Sequence, residues 1–133
     1  TEIYTLSLHD ALPIYQVIVA SFSDETLTRF QHACPEVATS LPVNKGTMLY
    51  ILSRVGLERL LPLDGVVAQL PRSFNTKLGQ LKLDRRYINA FAKGDRQVWV
   101  WTVNDSIEMR RMLNMGAHGI ITDRPGILMD FVQ

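Results

Sequence analysis

Short apolar runs rich in branched residues alternate along the chain with stretches whose apolar residues recur at helical spacing. The runs predict strands because branched side chains favour extended backbone, and nearly continuous apolar runs are typical of strands buried on both faces. Repeated strand–helix alternation predicts an α/β fold with a parallel sheet covered by helices. The pattern leaves open whether the sheet is doubly wound or part of a barrel. The predicted strands span residues 16–22, 36–41, 65–70, 97–103 and 119–122.

The helical stretches begin and end at recognisable signals. Ser23 opens the first predicted helix, and Asp105 with Glu108 has the spacing of a capping box. Residues 72–83 carry no clear periodicity and are predicted to form a loop. Pro125 falls in the first turn of the last helix. The predicted helices span residues 23–34, 44–61, 84–93, 105–115 and 125–132, with Gly94 and Gly116 as stop signals after the third and fourth.

Four of the five predicted helices have a candidate buried face. Asn44 is the expected cap of the second helix, and Asp84 starts the third. These faces follow from apolar residues three or four positions apart. The expected inward residues are Leu27, Phe30 and Cys34 in the first helix; Met48, Leu49, Leu52 and Val55 in the second; Ile88, Phe91 and Ala92 in the third; and Met109, Met112 and Leu113 in the fourth.

Composition narrows the class of protein. Hydrophobic residues make up 47% of the 133 and charged residues 20%, which is typical of a globular chain. No apolar run approaches the ~20 residues of a membrane span, so we expect none. The net charge of +1 gives no reason to expect nucleic acid as a partner. The single cysteine, Cys34, excludes an internal disulfide framework, and we interpret it as a small buried apolar residue.

The first fourteen residues, TEIYTLSLHDALPI, differ in character from the rest of the chain. They resemble the in-frame translation of a sequencing-library adapter, which occurs at the ends of genes predicted from metagenomic reads. We therefore expect residues 1–14 to be non-native and residues 15–133 to be the real domain. His9 and Asp10 then carry no functional weight. The alternative is an ordinary N-terminal strand and turn.

Three further stretches carry a family resemblance. The first stretch is VIVASFSDETLTRF, the second is LPRSFNTKLGQLKLDRRYINAFAKGD, and the third is VWVWTVNDSIEMRRMLNMGAHGIITDRPGIL. Together they resemble the glycerophosphodiester phosphodiesterase family over nearly all of residues 15–133, with the Trp-Thr-Val-Asn to Gly-Ile-Ile-Thr-Asp-Arg-Pro pairing as the specific part. His118 and Asp84–Arg85 depart from the usual pattern. The resemblance implies the C-terminal portion of a (β/α)8 TIM barrel, an incomplete barrel of parallel strands alternating with helices.

The resemblance also implies an activity. The family hydrolyses glycerophosphodiesters to glycerol 3-phosphate and an alcohol, with Mg²⁺ or Ca²⁺ held by carboxylates and two histidines as acid and base. The motifs that carry these groups are His-Arg-Gly, Glu-x-Asp and His-Asp. Only His9–Asp10 matches any of them, and it lies in the adapter-like segment. Phosphodiester hydrolysis needs a cation and a positioned acid and base. We therefore expect no catalytic residue and no metal ligand in this chain, and no activity from it alone.

Four residues are the candidate substrate pocket. Active sites of TIM barrels lie at the carboxyl ends of the strands, which selects residues 21–22, 41–42, 101–104 and 122–123. From this set we take Ser21, Phe22, Trp101 and Asn104 as the pocket. By resemblance, Trp101 forms an apolar wall against the substrate; the alternative is a core tryptophan, a position that Trp99 fits better. Phe22 is balanced between the two interpretations, and Ser21 has no histidine–aspartate partner to make it a nucleophile.

The remaining polar residues at the strand ends have structural interpretations. Asn104 is expected to help start a helix rather than contact substrate, and Thr122 with Asp123 to fix the last strand-to-helix turn. His32 and His118 are expected to be structural or surface residues.

As a fragment of this enzyme, the chain would have a small-molecule glycerophosphodiester as its partner. Two other functions are alternatives to this interpretation. One is a different phosphate-handling TIM barrel, and the other is a non-catalytic module that binds a glycerol-like ligand near Trp101. If half of a barrel is missing, the strand at residues 16–22 has an unpaired edge, so we expect the isolated chain to aggregate, self-associate or behave as a molten globule.

Overall fold

The computed structural model describes residues 17–63, 67–76, 79–93 and 95–131, and it confirms the alternation of strands and helices. The predicted positions of Gln16, Gly65, Gly94 and Val132 lie outside the described residues, as do His9 and Asp10. The elements are β1 (Ile18–Val19), α1 (Asp24–Ala33), β2 (Ala38–Thr39), α2 (Val43–Val55), a single 3-10 turn (Glu58–Leu60), β3 (Val67–Pro71), β4 (Ser73–Thr76), β5 (Gly79–Lys82), α3 (Arg85–Phe91), β6 (Gln97–Trp101), α4 (Ser106–Asn114), β7 (Gly119–Ile120) and α5 (Pro125–Met129).

Five strands form one parallel array in chain order, β1-β2-β3-β6-β7. β1 pairs with β2, and β6 lies between β3 and β7. A parallel bridge between Ser40 and Val67 joins the two groups, and the Leu41 amide donates to the Val67 carbonyl at 2.8 Å. A doubly wound sheet reverses its strand order, whereas consecutive order is the arrangement of neighbouring barrel strands. Within the described ranges the strands do not close into a barrel.

One layer of side chains between the sheet and the helices forms the main core. On β6, Val98 and Val100 are fully buried, whereas Trp99 and Trp101 on the opposite face are only half-buried. This alternation follows from the period of two along a strand. The other buried members of the layer are Leu41, Leu49, Ala68, Leu70, Leu83, Tyr87, Ile88, Ala90, Phe91, Val103, Met109, Met112 and Ala117.

The predicted helix caps are confirmed where their signals are local. The side chains of Ser23, Asp84 and Asp105 each accept a hydrogen bond from a backbone N–H in the first turn of the helix that comes next. Gly116 has a φ of 104° after α4, a conformation that favours glycine, and Pro125 occupies the first turn of α5.

The second helix differs from its prediction at both ends. It begins at Val43, and its first amides are bound by the Asp24 carboxylate, which accepts from the N–H groups of Val43 at 2.7 Å and Asn44 at 3.0 Å. Asn44 is therefore not the cap. The helix ends at Val55, because Gly56 takes a left-handed φ of 75°, and only the short turn Glu58–Leu60 comes after it.

The predicted buried face of α2 was also partly wrong. Leu49 is fully buried, but Met48 is 52% and Val55 65% exposed, and the small residues Gly46 and Ser53 take inward positions instead. Small residues are needed on the inward face because α3 packs closely against this helix, where the Tyr87 hydroxyl donates to the Gly46 carbonyl at 2.8 Å. Cys34 is half-buried at the end of α1 rather than fully buried.

The predicted loop at residues 72–83 was wrong, since it contains an antiparallel hairpin. Ser73 pairs with Lys82 and Phe74 with Leu81 across β4 and β5. The Phe74 ring packs edge-on against Tyr50 of α2, with 5.8 Å between ring centroids. No helix in the described part of the chain is long and apolar enough to cross a membrane.

Candidate functional site

The carboxyl ends of the parallel strands surround a hollow of about 300 Å³, here called the rim hollow. Four strands, β1, β2, β6 and β7, contribute residues at or just after their carboxyl ends, and β3 contributes Gln69 from its middle. Active-site rims of barrels lie at the carboxyl ends of the strands. Its side chains are uncharged. The lining residues are Ala20, Ser21, Phe22, Ser40, Leu41, Val43, Gln69, Trp101, Thr102 and Ile121.

Two of the predicted pocket residues form one aromatic wall of this hollow. The rings of Phe22 and Trp101 meet edge to face, with centroids 5.9 Å apart and planes at 72°. Phe22 is 84% exposed, so its ring is accessible rather than part of the core. The structure therefore brings Phe22 and Trp101 together at the rim, and their contact with a substrate stays a prediction.

Trp99 lies on the same face of β6, deeper in the sheet. Its indole N–H donates to Gln97 Oε1 at 2.9 Å, and its ring lies against Gly119 of the neighbouring strand. A Cβ at position 119 would lie only 2.8 Å from Trp99 Cδ1. Trp99 thus needs a glycine opposite it and serves to pack β6 against β7, whereas Trp101 faces the rim hollow.

Ser21 lines the rim hollow, but no described neighbour would activate it as a nucleophile. Its hydroxyl accepts from the Ser23 backbone N–H at 3.0 Å, and neither described histidine lines the rim hollow. His32 is exposed on α1, and His118 Nδ1 accepts from the Val98 backbone N–H at 3.2 Å. Both histidines therefore have the surface or structural positions that were predicted.

Asn104 lies beside the rim rather than in its lining. Its side-chain N–H donates to Asp123 Oδ2 at 2.8 Å, and its Oδ1 accepts from the Thr122 hydroxyl and the Asp123 amide. Asp105, not Asn104, caps α4. Asn104 instead ties the loop after β6 to the turn after β7, and Thr122 accepts from the Arg124 amide to hold that turn. A substrate contact by Asn104 stays a prediction.

A second hollow of about 330 Å³, here called the hairpin hollow, adjoins the first. The two share Phe22, Leu41, Val43, Gln69 and Trp101. The hairpin hollow adds Pro42, Gly46, Thr47, Leu70, Pro71, Phe74, Asn75 and Tyr87. Sequence reasoning missed it because residues 72–83 were predicted to be a loop; the apolar residue Phe74 inside that stretch was the available signal.

A rigid group of side chains supports the hairpin hollow from behind. Nη1 and Nη2 of Arg54 donate to the two oxygens of the Asp84 carboxylate, and the guanidinium lies over the Tyr50 ring, 4.2 Å from its centroid. The hydrogen bond from Arg54 is the main reason that the pKa of Asp84 is lowered. Tyr50 meets Tyr87 edge to face at 5.3 Å, and burial raises the pKa of Tyr87, which stays a neutral donor.

The described residues do not fit a divalent metal site. Mg²⁺ and Ca²⁺ require several oxygen ligands, chiefly carboxylates, and no described carboxylate lines either hollow. Within the residues that the structure describes, no three His, Cys, Asp or Glu side chains come together. The chemistry available at the rim is therefore apolar contact and neutral hydrogen bonding.

Comparison with known proteins adds two findings. The model of the glycerophosphoryl diester phosphodiesterase family matches residues 6–127, so the match begins inside the segment 1–14 that was set apart, and that boundary stays a prediction. A solved structure from Silicibacter pomeroyi DSS-3, named as a putative glycerophosphoryl diester phosphodiesterase, is similar with a TM-score of 0.58 and 22% identity. The similarity covers 86% of this chain and 38% of that one. No curated protein matches.

Proposed function

The chain belongs to the glycerophosphoryl diester phosphodiesterase family, whose fold is the TIM barrel, and from this premise we propose that it supplies the later strands of an enzyme that hydrolyses glycerophosphodiesters to glycerol 3-phosphate and an alcohol. One observation carries the proposal. The rim hollow lies where the carboxyl ends of the parallel strands β1, β2, β6 and β7 meet, beside Gln69 of β3, and TIM barrels bind substrate at this end of their strands.

The aromatic wall suits the carbon atoms of such a substrate. Phe22 and Trp101 present two ring surfaces inclined at 72° to the rim hollow, and Ser21 and Thr102 add hydroxyl groups beside them. Glycerol has both a carbon chain and hydroxyl groups, so a lining of rings and hydroxyls contacts both. We assign substrate contact to Trp101, Phe22 and Ser21. Asn104 would act on the pocket by holding the loop that comes after Trp101.

Catalysis needs groups that the rim hollow lacks. A phosphodiester is an anion, and its hydrolysis requires a cation for the charge at phosphorus together with an acid and a base. Among the described residues, no cationic, carboxylate or histidine side chain lines either hollow. In the proposed enzyme, Mg²⁺ or Ca²⁺ and the acid–base pair are therefore held by residues on other strands of the barrel. The present chain alone is expected to be inactive.

Restoring the missing strands tests the proposal. We would join residues 15–133 to the N-terminal half of a family member and measure glycerol 3-phosphate release with added Mg²⁺ or Ca²⁺. Turnover by the chimera, and none by the chain alone, is the expected result. A well-folded chimera without turnover would contradict the assigned activity, and turnover by the chain alone would contradict its expected inactivity.

A matched pair of variants in the chimera tests the aromatic wall. Trp101→Ala should lower kcat/KM about tenfold or more, because an apolar contact of ~1.4 kcal/mol corresponds to that factor. Ile107→Ala is the control, since Ile107 is 75% exposed on α4 and lines neither hollow. Equal activity of the two variants would remove Trp101 from the substrate site.

A further inference from the structure

The two hollows share an aromatic wall but differ in the other residues that line them. Three hydroxyl groups, those of Ser21, Ser40 and Thr102, line the rim hollow only. The hairpin hollow adds the apolar residues Pro42, Leu70, Pro71 and Phe74. Among its polar groups, the Thr47 and Tyr87 hydroxyls donate to the backbone carbonyls of Val43 and Gly46, and Asn75 is exposed. A molecule that spans both hollows would therefore place a hydroxylated end on one side of Phe22 and Trp101 and an apolar end on the other.

The hairpin hollow has the size and surface of a site for a small uncharged group. Its volume of about 330 Å³ lies at the lower end of the range of small-molecule pockets, roughly 300–1,000 Å³. Four aromatic residues, Phe22, Phe74, Tyr87 and Trp101, take part in its lining, and no charged side chain of the described ranges does. A cation there would find ring faces and the side-chain oxygens of Gln69, Thr47 and Asn75, but no carboxylate of the described ranges to neutralise its charge. An apolar group gains from the same surfaces without losing the hydration of a charge.

The hairpin that covers this hollow is held in place from outside. Phe74 packs on Tyr50, and Tyr50 lies under the Arg54 guanidinium that binds Asp84. Asn75 is exposed at the mouth of the hollow, next to Phe74. The two side chains can therefore select what enters without being part of the buried core.

We propose that the hairpin hollow takes the uncharged, apolar part of the leaving alcohol, and that Phe74 and Asn75 are specificity-determining residues. That the occupant is a leaving group rests on the proposed function. The apolar preference of the hollow does not, because it follows from the lining alone. The glycerol end of the substrate would then occupy the rim hollow.

A pair of isosteric probes tests the preference on the full chain. 3,3-Dimethylbutan-1-ol and choline have the same shape, but choline carries a quaternary ammonium in place of the central carbon. We expect millimolar binding of the neutral probe, seen as NMR shifts of the Asn75 side-chain amide and the Trp101 indole, and at least threefold weaker binding of choline. Equal or tighter binding of choline, or no binding of either probe, would overturn the proposal.

Three variants locate the site. Phe74→Ala should weaken binding of the neutral probe about fivefold or more, since it removes one wall. Asn75→Trp should also weaken it, by filling the mouth from an exposed position that does not depend on Phe74 packing. Ile121→Ala is the matched control, because Ile121 lines the rim hollow only, and it should change binding less than twofold. If Ile121→Ala weakens probe binding and the other two variants do not, the probe binds in the rim hollow, which would overturn the assignment to the hairpin hollow.

The chimera separates this proposal from the proposed function. Phe74→Ala should lower the preference of the active chimera for substrates with an apolar alcohol over those with a charged alcohol. An active chimera whose preference is unchanged would contradict the hairpin assignment and leave the phosphodiesterase intact. If the chimera is well folded but inactive and still binds the probe at Phe74, the proposed phosphodiesterase activity is contradicted, whereas the proposed apolar site still holds.

Discussion

The two faces of strand β6 show how differently neighbouring residues of this protein are used. Val98 and Val100 point toward the helices and are fully buried, whereas Trp99 and Trp101 point to the other side and stay partly exposed. The side chains alternate because a strand has a period of two. Helices cover one face, and the opposite face lines the rim hollow. Stability is therefore concentrated on the first face and candidate binding surface on the second.

The largest effect should come from the helix-covered face. Phe91 is fully buried in α3 within the main core, and Phe91→Ala should lower the free energy of unfolding by about 3–5 kcal/mol. Urea denaturation followed by circular dichroism measures this loss. A loss below about 1 kcal/mol would mean that this layer does not hold the fold together.

Adjacent residues on opposite faces give the sharpest comparison. Val100→Ala should cost about 2 kcal/mol, because Val100 is fully buried. Trp101→Ala should cost about 1 kcal/mol or less, although its side chain is larger, because its ring packs on the exposed Phe22. The same urea titrations test both variants. The reverse order would show that the rim face carries the stability.

A smaller effect is expected from the buried hydroxyl behind the hairpin hollow. Tyr87→Phe removes the hydrogen bond from the Tyr87 hydroxyl to the Gly46 carbonyl and should cost about 1 kcal/mol. It also loosens the contact between α2 and α3, so amide hydrogen exchange near Gly46 should become faster. Unchanged exchange and stability would mean that this bond does not couple the two helices.

The smallest expected effect is on the stability of the protein at acidic pH. The pKa of Asp84 is lowered in the folded protein, chiefly by the hydrogen bond from Arg54. The ionised carboxylate therefore adds to the free energy of unfolding. This contribution is complete above the ordinary carboxyl pKa of about 4 and is lost as pH falls through the lower folded-state pKa. Since the Asp84 side chain is 42% exposed, solvent screening limits the contribution to about 1 kcal/mol or less.

Asp84→Asn isolates that charge because asparagine still caps a helix. The stability difference between wild type and this variant should be constant near neutral pH and should shrink below pH about 4. Thermal melts at several pH values give the difference. A gap that widens in acid would contradict the sign of the pKa shift.

Part of the site was predictable because its signals are local. Phe22 and Trp101 end apolar strands, and parallel strands bring such ends to one rim. The start of α2 was not predictable in the same way, because the carboxylate that binds its first amides belongs to Asp24, in the helix before it. Asn104 was expected near a helix start and instead binds Thr122 and Asp123. The expectation of self-association stays a prediction, which sedimentation at several concentrations tests.

The hairpin shows a second reason why a prediction from the sequence was wrong. Residues 72–83 have no periodicity because β4 and β5 pair mainly with each other, and the apolar anchor, Phe74, packs on Tyr50 far along the chain. Without that contact the stretch has the composition of a loop. The hairpin hollow could therefore not be inferred before the structure placed Phe74 beside it.

The sequence by itself determined the order of strands and helices, three of the helix caps, the stop at Gly116 and the family, because periodicity, capping and motif are written in neighbouring residues. Tertiary structure alone decided which face of α2 is buried, where that helix begins, and how the hairpin completes a second hollow beside Trp101. Those features depend on residues about 20 or more positions apart, and their energies appear only when packing brings them into contact.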